Sequence, residues 1–529
     1  IVNVMRSFKR ILTAGVTASP EFMARNFIRD AAHAWAINED GFTLGVDSVR
    51  GARKTMKLWA KDVDHTATGG AIDMMFAGGS FLGGYIHGTD PAETARSIRA
   101  ALRKRGFTQA MQDGFMDTVV DTSAKYWDKY REIGDAIENA SREATYEAST
   151  KAGKSKAQAV FDAKDLMDYS MQGQWALFQF LGDTVPFFNA RLQGLYKLKR
   201  AGAVPGWGSK GKVIMRGGMI AAASLALLAL NWGDDRYEEL EDWDKDIYWH
   251  FWIGDQHLRI PKPFEIGVIF GTIPERMARL FGGKDDHRKA VKQLWWNFVE
   301  TFNLVGMPQM IAPTMEVYAN RDSFTKRDIE GMADEGKLKS ARYNEGTSET
   351  MRAIGSAVSD TINLSPKQLE HLWNGYLGTL GMYVLGASDM VVRVATDKPE
   401  APSWRLDDYQ VLKSFARSAP AKSTRYKTEL YEMLRESEQV YRTIKDKQKQ
   451  GLAEDAKDIA ADNQGKLKAR GALKSAATRL KALRQQVDHV YRDRSLTAAQ
   501  KRERVDKLME RGNILARRAV EKTHPIFNQ

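Results

Sequence analysis

Residues 247–260 read IYWHFWIGDQHLRI. Aromatic and branched residues on both sides of Gly254-Asp255, closed by Pro261, predict two short antiparallel strands joined by a tight turn. Few alternating apolar runs occur elsewhere, so this stretch decides whether the chain is purely helical or carries a sheet. A hairpin alone is marginal in water, so it must lie on a helical body. His250 and His257 fall on the two strands and could face each other, but two imidazoles without a third ligand make a poor metal site.

Outward from the hairpin the grammar is helical. Ser19-Pro20-Glu21 places a capping serine before a proline at the first helical position. Asp90-Pro91-Ala92-Glu93 and Ser365-Pro366-Lys367-Gln368 repeat the pattern with capping-box partners, and Thr497 with Gln500 gives another start. The expected fold is all-α, multi-helical, with a small antiparallel β-hairpin insert and a C-terminal long-helix, coiled-coil-like segment. Its expected organisation is a helical body over 1–200 with a Gly-rich apolar segment near 69–88, then 201–300 with an apolar helix, an acidic run and the hairpin. A helical region over 301–420 contains a second Gly-rich segment at 371–388, and 421–529 forms a basic helical hairpin or bundle. Pro399, Pro402 and Pro420 mark the last boundary, within 397–423.

Charge and tryptophan divide along that boundary. Of the 79 Lys+Arg and 67 Asp+Glu in 529 residues, 421–529 holds 26 and 15, a net of +11 out of +12. All 13 tryptophans lie at or before Trp404. Leu473, Ala476, Leu480, Leu483, Val487 and Val490 alternate spacings of three and four, an a/d seam, and Leu430, Met433, Val440 and Ile444 continue it in an earlier helix around Ser437. Gly451 and 493–495 are natural breaks. Lys466, Lys468, Arg470, Lys474, Arg479, Lys481 and Arg484 are the candidate polyanion-facing cations, suited to neutralising phosphates without reading bases. A lysine-rich solvated helix surface is the plain alternative.

Three stretches have small residues and no Asp, Glu, Lys or Arg: 74–88, 217–230 (GGMIAAASLALLAL) and 371–388. Gly79, Gly83, Gly84 and Gly88 make two GxxxG spacings, which let helix backbones approach closely in lipid or in protein interfaces. With Met219, Ile220, Leu225, Leu227, Leu228, Leu230, Gly378 and Gly381 they are the candidate membrane or oligomer contacts. Spanning a bilayer takes ~20 mostly apolar residues, and 217–230 supplies 14, so a buried core helix or an interfacial segment is the ordinary reading. Lys197, Lys199, Arg200, Lys210, Lys212 and Arg216 precede this run. Asp234, Asp235, Glu238, Glu239, Glu241, Asp242, Asp244 and Asp246 follow it. The helix dipole favours the reverse order, whereas an inserted segment would keep its basic side toward the cytoplasm.

Catalytic chemistry has no foothold in these motifs. Without cysteine there is no disulfide, thiolate metal site or thiol nucleophile. No HExxH, P-loop or GxSxG occurs, and the carboxylates of 234–246 read as a solvated run without a matched acid. No metal, cofactor or catalytic residue is expected. Residue 1 is isoleucine with no signal-peptide pattern after it, which fits a piece of a longer chain.

Three strings are more specific. NFIRDAAHAWAIN (26–38), VPFFNARLQGLYKLKRAG (185–202) and YWHFWIGDQHLRIPKPFEIGVIFGTIPER (248–276) resemble the C-terminal region of large polyvalent, internal-virion or ejection proteins of short-tailed phages. The likeness covers residues 20 to about 300 well and the remainder by order and composition. It implies a protein packed in the capsid core near the portal, expelled ahead of the genome into the host periplasm and inner membrane. There it would help form a DNA conduit, as an oligomer, with other ejection proteins, the portal and phage DNA as partners. An inner-core scaffold without a membrane role is the alternative. The lytic transglycosylase of some members would lie outside this chain. Freedom from disulfides suits a chain reshaped during passage.

Overall fold

The computed structural model describes residues 2–57 apart from 39, residues 74, 121–166, 175–189, 192–194, 196, 207–285, 291 and 295, and 307–528 apart from 326, 332, 333, 345, 397, 410 and 411. The Gly79, Gly83, Gly84 and Gly88 spacings and the start at Asp90 lie outside these residues. So do Lys197, Lys199 and Arg200.

The fold is mostly α-helical with one small antiparallel sheet. The helices are α1 (Val2–Thr17), α2 (Pro20–Ile37), α3 (Val46–Lys57), α4 (Asp121–Lys151), α5 (Lys156–Asp165), α6 (Ala176–Thr184), α7 (Trp207–Leu230), α8 (Asp235–Glu238) and α9 (Asp242–Ile247). After β1 (Tyr248–Ile253) and β2 (Gln256–Pro261) come α10 (Phe264–Gly267), a π-helical turn (Val268–Thr272), α11 (Ile273–Phe281), α12 (Ala312–Ala319), α13 (Glu349–Ile362) and α14 (Pro366–Ala395). A two-residue β3 (Ala416–Arg417) precedes α15 (Arg425–Lys449), α16 (Ala453–Asp462), α17 (Gln464–Arg492) and α18 (Ala498–Phe527). Two compact units share the chain. One takes Ile1–Leu228, Pro261–Met315 and Trp373–Tyr383; the other takes Ala229–Ile260, Glu316–Leu372 and Val384–Gln529.

In the first unit α4 is the central helix. Gly51 of α3 sits against it so closely that a Cβ there would lie 2.1 Å from the Ala140 carbonyl oxygen. Ser19 caps α2 as its sequence predicts, accepting from the Phe22 amide. Small apolar clusters fill the spaces: Ala34, Phe42, Ala144 and Leu166 in one, Met74, Tyr146, Ala159 and Ala163 in another.

In the second unit the predicted hairpin forms, with Gly254 at a positive φ of 59° in its turn. A third strand joins it: β3 runs antiparallel to β2, pairing His257 with Arg417 and Leu258 with Ala416. The C-terminal helices bury the seam read from the sequence. Leu430, Met433, Leu434, Leu473, Ala476 and Leu480 share a core with Tyr426, Ala516 and Val520, while Val487, Val490 and Val505 form a second cluster. Ser437 breaks the apolar pattern inside the seam but is fully buried, its hydroxyl donating to the Met433 carbonyl at 2.9 Å. Capping boxes at Ser365/Gln368 and Thr497/Gln500 start α14 and α18. Gly451, at φ 78°, ends α15.

Candidate functional site

The apolar helix α7 is longer than its uncharged run. It begins at Trp207, so Gly211–Leu230 forms 20 helical residues, about 30 Å at 1.5 Å per residue, with an 18-residue window of mean hydropathy 2.0. It is not a buried core helix, because 28% of that window is buried. Burial follows one narrow stripe: Val213, Arg216, Gly217, Ile220, Ser224 and Leu228. Gly217 lies against the Phe270 ring, where a Cβ would come within 2.5 Å. Arg216 donates to the carbonyls of Trp35 (2.5 Å) and Asn38, satisfying the C-terminal end of α2. From Gly218 to Leu230 every exposed residue is apolar: Gly218, Met219, Ala222, Ala223, Leu225, Ala226, Ala229 and Leu230. Surface helices ordinarily put polar residues there. Among the sequence candidates, Met219, Leu225 and Leu230 therefore face out, Ile220 and Leu228 face in, and Leu227 is half-buried.

The second apolar helix, α14 (Pro366–Ala395), contains an 18-residue window of mean hydropathy 1.2. It kinks at Gly378, whose φ of 62° and ψ of −147° suit only glycine. A Cβ on Gly378 would meet Val16 of α1 at 2.7 Å. Gly381 accepts from the Trp373 indole N–H at 2.9 Å. Both glycines thus serve packing within the chain. Beyond the kink Val384, Ala387, Val391 and Val394 form an exposed stripe at spacings of three and four. Asp389, in the same stretch, accepts from the Ser348 hydroxyl (2.6 Å) and from the Thr350 amide and hydroxyl (2.8 Å each), which fastens it to the start of α13.

The seven cations of α17 separate into two sets. Arg470 forms a two-bond pair with Glu438 (3.0 and 3.2 Å) and lies 3.6 Å over the Tyr441 ring, and Lys466 pairs with Glu436 at 3.2 Å. Lys468, Lys474, Arg479, Lys481 and Arg484 are exposed. No acidic residue occurs between 464 and 487, so this set makes a basic face with an apolar seam behind it.

The acidic stretch after α7 is not the solvated run its composition predicts. Glu241, Asp244 and Asp246 are buried. Asp235 pairs with Arg517 at 2.9 Å, Glu238 with Arg425 at 3.8 Å, and Glu241 with Arg327. These partners offset the charge asymmetry that the flanks of α7 suggest. Asp244 is the centre of a buried node. Its carboxylate accepts from Arg259 and from Arg417 Nε (3.0 Å) and Nη2 (2.8 Å). His250 and His257 do face each other, Nδ1 to Nε2 at 3.0 Å, and His250 Nε2 lies 3.1 Å from the Asp244 carbonyl oxygen. A carbonyl only accepts, so His250 Nε2 carries a hydrogen. Trp252 stacks on His257 at 4.4 Å, with Arg236 over the indole at 4.9 Å. Burial, then the His250 charge, pushes His257 down to about 3. Burial alone would raise the Asp244 carboxyl, but His250, Arg417 and Arg259 outweigh it and hold it at about 2.

Sequence reasoning missed this node and a second one. In the first unit Lys262 pairs with Glu275 at 2.6 Å, and Arg276 and Arg279 both reach Asp285, at 3.1 and 3.0 Å; all but the partly buried Asp285 are buried. The available signal was the alternation on β2, where polar His257 and Arg259 take the inward positions. Among the described residues, no group of three or more metal-ligating side chains stands together.

Comparison with curated proteins and with solved structures gives no match. Residues 234–412, from the cap of α8 to just before β3, match the family model of large polyvalent protein associated domain 38, which supports the resemblance to large polyvalent proteins.

Proposed function

We propose that this chain is part of a phage internal virion protein that helps build a conduit for the genome across the host envelope. The role is non-enzymatic. Support at the coarser level comes from the polyvalent-protein match over 234–412. The observation that carries the finer reading is α7, whose exposed face from Gly218 to Leu230 is wholly apolar. Its 20 residues equal a hydrocarbon core of ~30 Å in length. Arg216 nevertheless stands within the helix, and a cation near the centre of a spanning helix costs about 2.5–3.5 kcal/mol. In this fold α7 therefore suits an interfacial or re-entrant contact with the host inner membrane, or a seam between copies, better than a simple span. The exposed stripe of α14 after Gly378 would be a second apolar contact of its own. The exposed cations of α17 would face phage DNA without sequence preference, or an acidic surface of the portal or a fellow ejection protein.

Flotation of the full chain with phospholipid vesicles tests the membrane role. Co-flotation that is lost in a Met219→Asp/Leu225→Asp variant of unchanged helicity is the expected result. Absence of the wild-type chain from the vesicle fraction, at neutral pH and after mild acid treatment, overturns it. An inner-core scaffold is the second reading, favoured by the internal use of Gly378 and Gly381.

A further inference from the structure

We infer that the contact between α3 and α4 is a proton-gated joint, closed while Glu143 carries its proton and loosened when Glu143 ionises. Glu143 is fully buried, and neither carboxylate oxygen has a hydrogen-bond partner. The joint around it is closely packed. Gly51 packs against the Ala140 and Ala144 backbone, Thr55 turns its hydroxyl back to the Gly51 carbonyl, and Ser48 meets Ser141 at 3.4 Å.

The charges acting on Glu143 are Lys54 of α3 and Glu147 of its own helix, and these two are paired with each other. Elsewhere around α4, Arg29 and Asp30 of α2 form a group with Glu138 and Arg142, and Asp162 of α5 is tied to Lys154 and Ser149. Burial pushes the Glu143 carboxyl from 4.5 up to about 7, with Lys54 pulling it down and Glu147 adding to the rise. The closed joint thus holds a proton that the opened one releases. Its stability is full below about pH 4.5, falls as pH rises toward 7, and is level above that. A buried unpaired acid in a structural helix interface is costly at neutral pH, and its cost is set by protons alone.

Hydrogen exchange of the full chain, followed by mass spectrometry and corrected for intrinsic rates, reads the joint directly. Protection of α3 and the facing part of α4 should fall ~10-fold or more between pH 5 and pH 7.5. In Glu143→Gln, which keeps the shape, it should change less than about 2-fold. Removing the opposing cation with Lys54→Met should extend the fall beyond pH 7. A Glu143→Gln profile that follows the wild type, or a wild type with level protection across this range, overturns the inference.

Discussion

Helices α7 and α17 are similar in length and opposite in design. On α17 the apolar residues occupy one seam, meet α15 and α18, and leave charge outside. On α7 the buried stripe includes an arginine and a serine, while the outward face holds methionine, leucine and alanine. The first arrangement is complete in itself. The second leaves a contiguous apolar surface turned outward, the kind of feature that marks a binding face. What separates the two helices is where hydrophobicity points, and total apolar content does not reveal that.

Four measurements test this contrast. The largest effect is expected at Asp244, which tests whether the acidic stretch after α7 is a fixed anchor. Asp244→Ala should cost about 3–5 kcal/mol by leaving Arg259 and Arg417 unpaired in a buried site. Because its carboxyl is held at about 2, this stabilisation is full above about pH 4 and lost as pH falls through 2. Denaturation curves of both proteins between pH 2 and 6 should therefore converge at the acid end. A gap that is constant with pH would contradict the node.

Next comes the direct comparison of core against face. Leu473→Ala, at a fully buried seam position, should cost about 2–5 kcal/mol in urea titration. Leu230→Ala, at a side chain 82% exposed, should stay within about 0.5 kcal/mol. Equal costs would mean that α7 is covered by protein in solution. In vesicle partition the order should reverse: Leu230→Ala weakens binding by a few-fold, about 1 kcal/mol, and Leu473→Ala leaves the affinity of the folded fraction unchanged.

The smallest effect concerns the basic face. Lys474→Glu/Lys481→Glu should lower the slope of log affinity against log salt for duplex DNA by about 2, with stability unaltered. Arg470→Ala, which removes a cation already paired with Glu438, should change that slope by less than 1. A larger loss from Arg470 would show that the ion pair opens to meet phosphate.

Much of this was legible in the sequence because the signals were local. Gly254 fixed the hairpin turn, Ser365 and Thr497 marked helix starts, and the three-four spacing from Leu473 to Val490 named the seam. The reach of α7 was hidden because Lys212 and Arg216 interrupt the apolar run; the carbonyls that satisfy Arg216 belong to Trp35 and Asn38. Asp244 looked solvated because its neighbours are acidic, while its partner Arg417 lies 173 residues away. The third strand is two residues long, too short for any periodicity. Distance along the chain, and not weak chemistry, set the limit.

The interleaved allocation of the chain has a consequence for its biosynthesis. The first unit draws on Trp373–Tyr383 as well as on its N-terminal portion, and the second starts at Ala229. A ribosome that has reached residue 300 has therefore released neither unit in full. Both must finish folding late, and a nested assembly of this kind ties the two into one fate: a nonsense codon anywhere between 229 and 372 truncates both at once.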